Sequence, residues 1–265
     1  MEHTLLSDKL MFHLKIQPGD VGEYVILPGD PGRVPKIAAY LDNARQIAQN
    51  REYCVYTGTL LGEKVSVCST GIGGPSAAIA LEELVQCGAK YFIRVGTSGG
   101  MALEVVGGDL IIPTAAVRGD GTSYEYLPRD YPAAADFALT AALYQTAREM
   151  SSDAEGDSVH IGVIQSKDSF YGETNPETMP IEAALRDRWS AYLRAGCLTS
   201  EMECATLFSV GIARRVHVAA VITAIWNVER TARGLSNPVT EDTTRAIRCV
   251  IETIRREIAA KQAKQ

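Results

Sequence analysis

Apolar and polar positions switch between two periods along this chain, and the switches mark where strands give way to helices. Tyr24-Val25-Ile26-Leu27 is an apolar run that stops at Pro28-Gly29-Asp30-Pro31-Gly32, as a buried strand does at a turn. Val34 to Leu41 then reads as a brief helix. Lys64 to Ser69 is a second strand, closed by Thr70-Gly71-Ile72-Gly73-Gly74. Pro75, suited to a first helical position, opens a helix that puts Ala78, Leu81, Leu84 and Val85 on one face and ends at Gly88. Tyr91–Val95 and Asp109–Ala116 read as strands, Pro132–Met150 as a helix and His160–Gln165 as a strand. Glu201–Ala213 reads as a helix before the strand Val216–Ala224. Residues 241–258 form a last amphipathic helix, with Ile247, Val250, Ile251, Ile254 and Ile258 on one face.

This alternation predicts an α/β fold in one domain over residues 1–265, a mostly parallel sheet flanked by helices in three layers. No internal repeat or linker interrupts it; Gly119–Gly121 and Gly172–Pro180 read as loops within the domain. In such folds ligands gather outside the carboxyl ends of strands. The loops to inspect are therefore Gly29–Arg33, Thr70–Ser76, Arg94–Gly100 and Ser169–Pro180.

Composition narrows the chemistry. A net charge of −6 argues against a nucleic-acid partner, which leaves a basic footprint. No apolar run approaches the roughly 20 residues of a membrane span, and the charges within Met1–Lys15 do not fit a signal peptide. Six cysteines without a Cys-x-x-Cys pair read as reduced core thiols of a cytoplasmic protein.

Three of the four loops share one chemistry. Gly29-Asp30-Pro31-Gly32-Arg33 sets amides and an arginine past a strand, Thr70–Gly74 lets backbone approach a ligand, and Arg94-Val95-Gly96-Thr97-Ser98 joins a guanidinium to hydroxyls. A guanidinium fork matches an oxyanion bidentately, so the set predicts a phosphate-sized anion. Neither glycine cluster keeps the G-x-G-x-x-G spacing and there is no Walker A sequence, which favours a small phosphate over a cofactor's diphosphate.

Leu27–Arg33, Arg51-Glu52, Ser69–Ser76, Arg94–Gly99 and Glu201-Met202-Glu203 together resemble the nucleoside phosphorylase-I family, and within it the uridine phosphorylases. The resemblance runs from about Phe12 to the last helix. It implies a mixed sheet flanked by helices, phosphorolysis of a nucleoside to free base and pentose 1-phosphate, no cofactor beyond phosphate as co-substrate, and dimer-based homo-oligomers, often hexamers. It assigns phosphate to Gly29, Arg33, Arg94 and Thr97, and to Arg51 lent by a neighbouring subunit. It assigns ribose to Met202 and Glu203, and to His13 across the dimer interface; His13 taken alone reads as a structural residue. Glu52, Ile72 and Ser76 match positions that hold a monovalent cation between subunits in some members.

The base end departs from the pattern. Glu173 stands where uridine phosphorylases carry a Gln, and Thr178 stands near an expected Arg. An ionised carboxylate only accepts, so Glu173 suits a base that presents donors; the alternative is a solvated loop residue. Phe170 packs on a base or ribose face in this reading, while Tyr171 serves there or in the core. Trp226 offers a stacking surface or is a core residue, and no Asp follows its strand as in purine-specific phosphorylases. The expectation is a uridine phosphorylase-like pentosyltransferase with an altered base preference, against a phosphorylase for a modified or non-uracil nucleoside or a silent nucleoside binder.

Overall fold

A computed structural model of the chain describes residues 10–152 and 156–264. Residues 1–9, which hold most of the charged N-terminal segment, lie outside the described residues. The sheet begins with β1 (Tyr24–Pro28), whose residues are buried on both faces, as a central parallel strand requires. β2 (Asp42–Asn50), β3 (Tyr53–Leu60) and β4 (Glu63–Cys68) form an antiparallel meander. β4 then pairs parallel to β1. β5 (Tyr91–Gly100) lies parallel to β1 on its other side. Beyond β5 the sheet closes on itself. β10 (His217–Asn227) pairs parallel to β5 and antiparallel to β6 (Leu110–Gly119). β6 pairs with β8 (Val159–Lys167), β8 with β9 (Thr199–Glu201), and β9 returns to β5. The two-residue β7 (Ala133–Ala134) hangs on β6. The expected mixed sheet is present, with its longest pairings, β5–β10 and β6–β8, parallel.

Strand alternation sorts the core into two clusters, one on each face of the sheet. Val25, Leu27, Phe92, Ala220 and Ile222 pack with α2 (Gly74–Gln86) and α7 (Cys204–Arg214). Ile26, Ile93, Val95, Ala219 and Val221 pack with α1 (Val34–Ala38), α4 (Phe137–Met150) and α9 (Thr244–Gln262). The helices α3 (Ser123–Tyr126), α5 (Phe170–Thr174), α6 (Glu182–Arg194) and α8 (Val228–Ala232) complete the described elements. All six cysteines are buried and free, as the sequence predicts. Among the described residues no helix is long and apolar enough to cross a membrane.

Four boundaries differ from the sequence reading, each for a physical reason. Arg94–Gly100 is not a loop: it continues β5, because β10 pairs with it as far as Gly100. Glu201 ends β9, and α7 starts only at Cys204. The helix predicted from Pro132 begins at Phe137, where the Asp136 carboxylate caps the Leu139 N–H at 2.9 Å. The glycine- and proline-rich 172–180 stretch contains most of α5 and a 3-10 turn, Pro176–Thr178. The polar strand β2 and the helix α6, which buries no residue completely, gave no apolar period to read.

Candidate active site

The carboxyl ends of β1, β5, β8 and β9 open onto one cleft of about 730 Å³. Its floor is Arg94. Alternation along β5 points this side chain to the same face as Phe92, toward the start of α7, and leaves it 4% exposed. Its Nε donates to Glu201 Oε2 at 3.1 Å and its Nη2 donates to Glu203 Oε2. Burial opposes the positive charge, but the Glu203 and Glu201 carboxylates more than offset it and hold Arg94 protonated above the usual arginine range. Nη1 is buried with no partner among the described residues.

That free nitrogen has a direction. A methyl group built on Gly29 would lie 4.0 Å from Arg94 Nη1 and 3.9 Å from Arg33 Nη2. The two guanidinium groups therefore converge on the space that Gly29 leaves open. Arg33 is set by the 3-10 turn Pro31–Arg33, whose start Asp30 caps through the Gly32 N–H at 2.8 Å. Burial, then the Arg94 charge, pushes the Arg33 pKa down. Two arginines converging on a glycine-lined corner suit a multiply charged oxyanion. Thr97 and the buried Ser98 face the same cleft, and the Ser98 hydroxyl is also without a partner among the described residues.

Glu201 holds this arrangement in place. Its carboxylate accepts from the Glu203 N–H at 3.0 Å, the Cys204 N–H at 2.9 Å and the Ser166 hydroxyl, so it caps α7 while anchoring Arg94. The sequence quoted Glu201 within a motif without giving it a role; the paired spacing with Glu203 was the available signal. Glu203 accepts from the Gly73 N–H at 2.6 Å, and Met202 lines the cleft between the two acids. Burial, reinforced by Glu201 and opposed by Arg94, pushes the Glu203 carboxyl up. Gly71, at φ +69°, brings the Thr70–Gly74 loop against the cleft, and a side chain there would meet Glu52 Cγ and Ser76 Oγ at 2.7 Å.

Phe170, Glu173 and Trp226 line the same cleft. Trp226 reaches it through a bulge in β10 between Ala224 and Trp226. Glu173 is not a solvated loop residue: it is 16% exposed, with Oε1 2.5 Å from Lys167 Nζ. The sequence missed Lys167, because one lysine at the end of a strand has no period or motif. Tyr171 has no core role, being 69% exposed and outside the cleft lining.

Three residues lie elsewhere within the single chain. His13 does not line the cleft; its Nδ1 is 2.7 Å from Glu83 Oε1, and Glu83 also accepts from the His13 and Leu14 N–H groups. Arg51 is exposed at the β2–β3 turn with φ +54°, a conformation uncommon outside glycine. Ser76 donates to Glu52 Oε1 at 2.8 Å beside the 77% exposed Ile72, so the three cation candidates are neighbours at the rim. Among the described residues no cluster of three His, Cys, Asp or Glu residues is arranged to hold a metal.

The model of the Phosphorylase superfamily matches residues 23–258. A uridine phosphorylase of Treponema pallidum is 47% identical over 244 residues, 92% of this chain and 93% of that protein. A uridine phosphorylase of Salmonella typhimurium is 38% identical over 261 residues, covering 95% and 99%. A guanosine phosphorylase of Halorubrum lacusprofundi is 38% identical over 216 residues, covering 82% and 83%. With one model spanning most of its length and relatives at these identities along nearly all of it, the chain belongs to the phosphorylase superfamily.

Proposed function

We propose that the protein is a pentosyltransferase that cleaves a nucleoside with inorganic phosphate, giving free base and pentose 1-phosphate, in the manner of its uridine phosphorylase relatives. The observation that carries this reading is the unpartnered Arg94 Nη1, buried and aimed with Arg33 into the corner at Gly29. A buried donor left without a partner costs about 1–3 kcal/mol, which a bound phosphate oxygen recovers. A protein that only hydrolysed nucleosides, or only bound them, would have no use for that corner.

In this mechanism Arg33, Arg94, Thr97 and the backbone at Gly29 hold phosphate beneath the sugar. Met202 packs on the ribose and Glu203 accepts from its hydroxyls, while Phe170, Glu173 and Trp226 surround the base. The glycosidic bond breaks toward an oxocarbenium-like sugar, which the phosphate charge stabilises before its oxygen bonds to the anomeric carbon. Positioning and charge supply the rate, and no protein nucleophile is needed. Arg51 and His13 complete the site from a neighbouring copy, a reading supported by their absence from the cleft lining within one chain. Assembly is then a dimer or a hexamer built from dimers, with a monovalent cation at Glu52, Ile72 and Ser76, in a cytoplasmic enzyme. Phosphorus NMR of a reaction with uridine and phosphate tests the reading: a pentose 1-phosphate resonance growing as phosphate falls supports it. Free pentose with phosphate unconsumed makes the protein a hydrolase.

A further inference from the structure

Three cations line the cleft among the described residues, and two of them are taken up by the corner at Gly29. The third, Lys167, stands apart at the end of β8, at 11% side-chain exposure. Its Nζ donates to Glu173 Oε1 at 2.5 Å and to Ser200 Oγ at 2.6 Å, and lies 5.8 Å from the centre of the Phe170 ring. An ammonium has three donors, so one N–H remains. Glu173 Oε2 accepts no hydrogen bond among the described residues, so one carboxylate oxygen is spare as well. Both elements are held in place: Ser169 Oγ caps α5 through the Gly172 N–H at 3.0 Å, and Ser200 is fixed in β9.

We propose that Lys167 is a further catalytic and specificity-determining residue, forming with Glu173 a donor–acceptor pair that takes the lactam edge of a base. This rests on the phosphorylase reading given above. Glu173 accepts the ring N–H, and Lys167 donates to the adjacent carbonyl oxygen. Uracil, hypoxanthine and guanine all present that edge. Cytosine and adenine present an amino group beside an unprotonated ring nitrogen, so they would set donor against donor and lone pair against carboxylate. Buried polar groups left unpaired in this way reject an analogue strongly.

The same contact serves the chemistry. As a phosphate oxygen forms the new bond to the anomeric carbon, the electron pair of the C–N bond passes to the base and spreads onto its carbonyl oxygens. Lys167 keeps its proton and stabilises that anion from a site that needs no rearrangement. The departing base is neutralised by the proton that hydrogen phosphate gives up, passed through solvent, so protons balance.

The test is a kinetic comparison of wild type and Lys167→Met on uridine and on 5-fluorouridine, whose base leaves as a more stable anion. Cytidine, inosine and adenosine are run on the wild type. Because Lys167→Met strands the Glu173 charge, the double variant Lys167→Met/Glu173→Gln is run beside it, and both are checked by thermal melting. The pair predicts that uridine exceeds cytidine, and inosine exceeds adenosine, by roughly 100-fold or more in kcat/KM. It predicts that both variants lose about 100-fold in kcat on uridine, distinctly less on 5-fluorouridine, with the KM for phosphate unchanged. Equal losses on the two uridines, or a wild-type preference for cytidine or adenosine, would overturn the role of Lys167 and leave the phosphorylase standing. Base release from wild type that ignores phosphate would overturn both.

Discussion

Arg94 works twice, as the floor of the cleft and as counterion to two buried carboxylates, and the two roles predict different mutants. Arg94→Met leaves Glu201 and Glu203 buried without their cation, a loss of roughly 3–5 kcal/mol in stability. A denaturant melt of the ligand-free protein should show that loss. Among the described residues Arg33 forms no ion pair with a carboxylate, and its guanidinium donates a long 3.4 Å bond to the Val95 carbonyl. Arg33→Ala should therefore keep the fold and raise the KM for phosphate by about 10-fold or more, as loss of one charge-assisted contact of about 1.5–3 kcal/mol requires. Steady-state rates across a phosphate titration check it. The residue types were legible in the sequence because arginines and glycines at strand ends have few other uses. The Glu201 scaffold was not, because it joins Glu201 to Arg94 and Ser166, far away along the chain; nor was the Lys167–Glu173 pair, which joins a strand end to a short helix at a spacing that matches neither period.

At the scale of elements, the site exists because β1 and β5 run parallel with Leu27 beside Arg94, and β1 stops beside Val95 while β5 runs on to Gly100. Gly29 sits one residue past β1, and its open space is the anion corner. Gly29→Ala meets no positive φ and fills that corner, with its methyl 3.3 Å from the Gly71 carbonyl oxygen, a tight contact that Gly71 relieves by moving a few tenths of an ångström. The expected outcome is a melting temperature close to wild type with phosphate binding weakened by calorimetry; unchanged affinity would remove Gly29 from the corner. Apolar periods located β1, β4, β5, α2 and α9 directly. They failed for β2, whose residues are largely exposed, and for the far half of β5, where Gly and Ser residues read as a loop until β10 supplies the pairing. The terminal helix α9 is tied back through Lys261, which with Lys90 draws the Glu23 carboxyl below the usual carboxylate range. A depressed carboxyl stabilises the fold above its unfolded pKa and loses that contribution as pH falls through the folded value. Glu23→Gln should cost at most about 1 kcal/mol at pH 7, since the pair is partly exposed. The deficit should shrink as the pH drops below about 4. Denaturant titrations at both pH values decide it.

For the whole molecule, the cleft in one chain lacks two of the groups that the family resemblance assigns to it. Arg51 points outward from a strained turn, and His13 is held at the surface by Glu83. If both act on a neighbouring copy, specific activity should fall as the protein is diluted below the dissociation constant of its subunits. Arg51→Ala and an active-site variant such as Arg33→Ala, each weak alone, should recover activity when mixed. Phosphate as the second substrate at the Arg33–Arg94 corner is what joins the site to the reaction. The most direct test is the rate of free base release from uridine, inosine and guanosine, with and without phosphate, by wild-type protein. Release that saturates with phosphate and vanishes without it is the predicted result. Release at the same rate in phosphate-free buffer would contradict it.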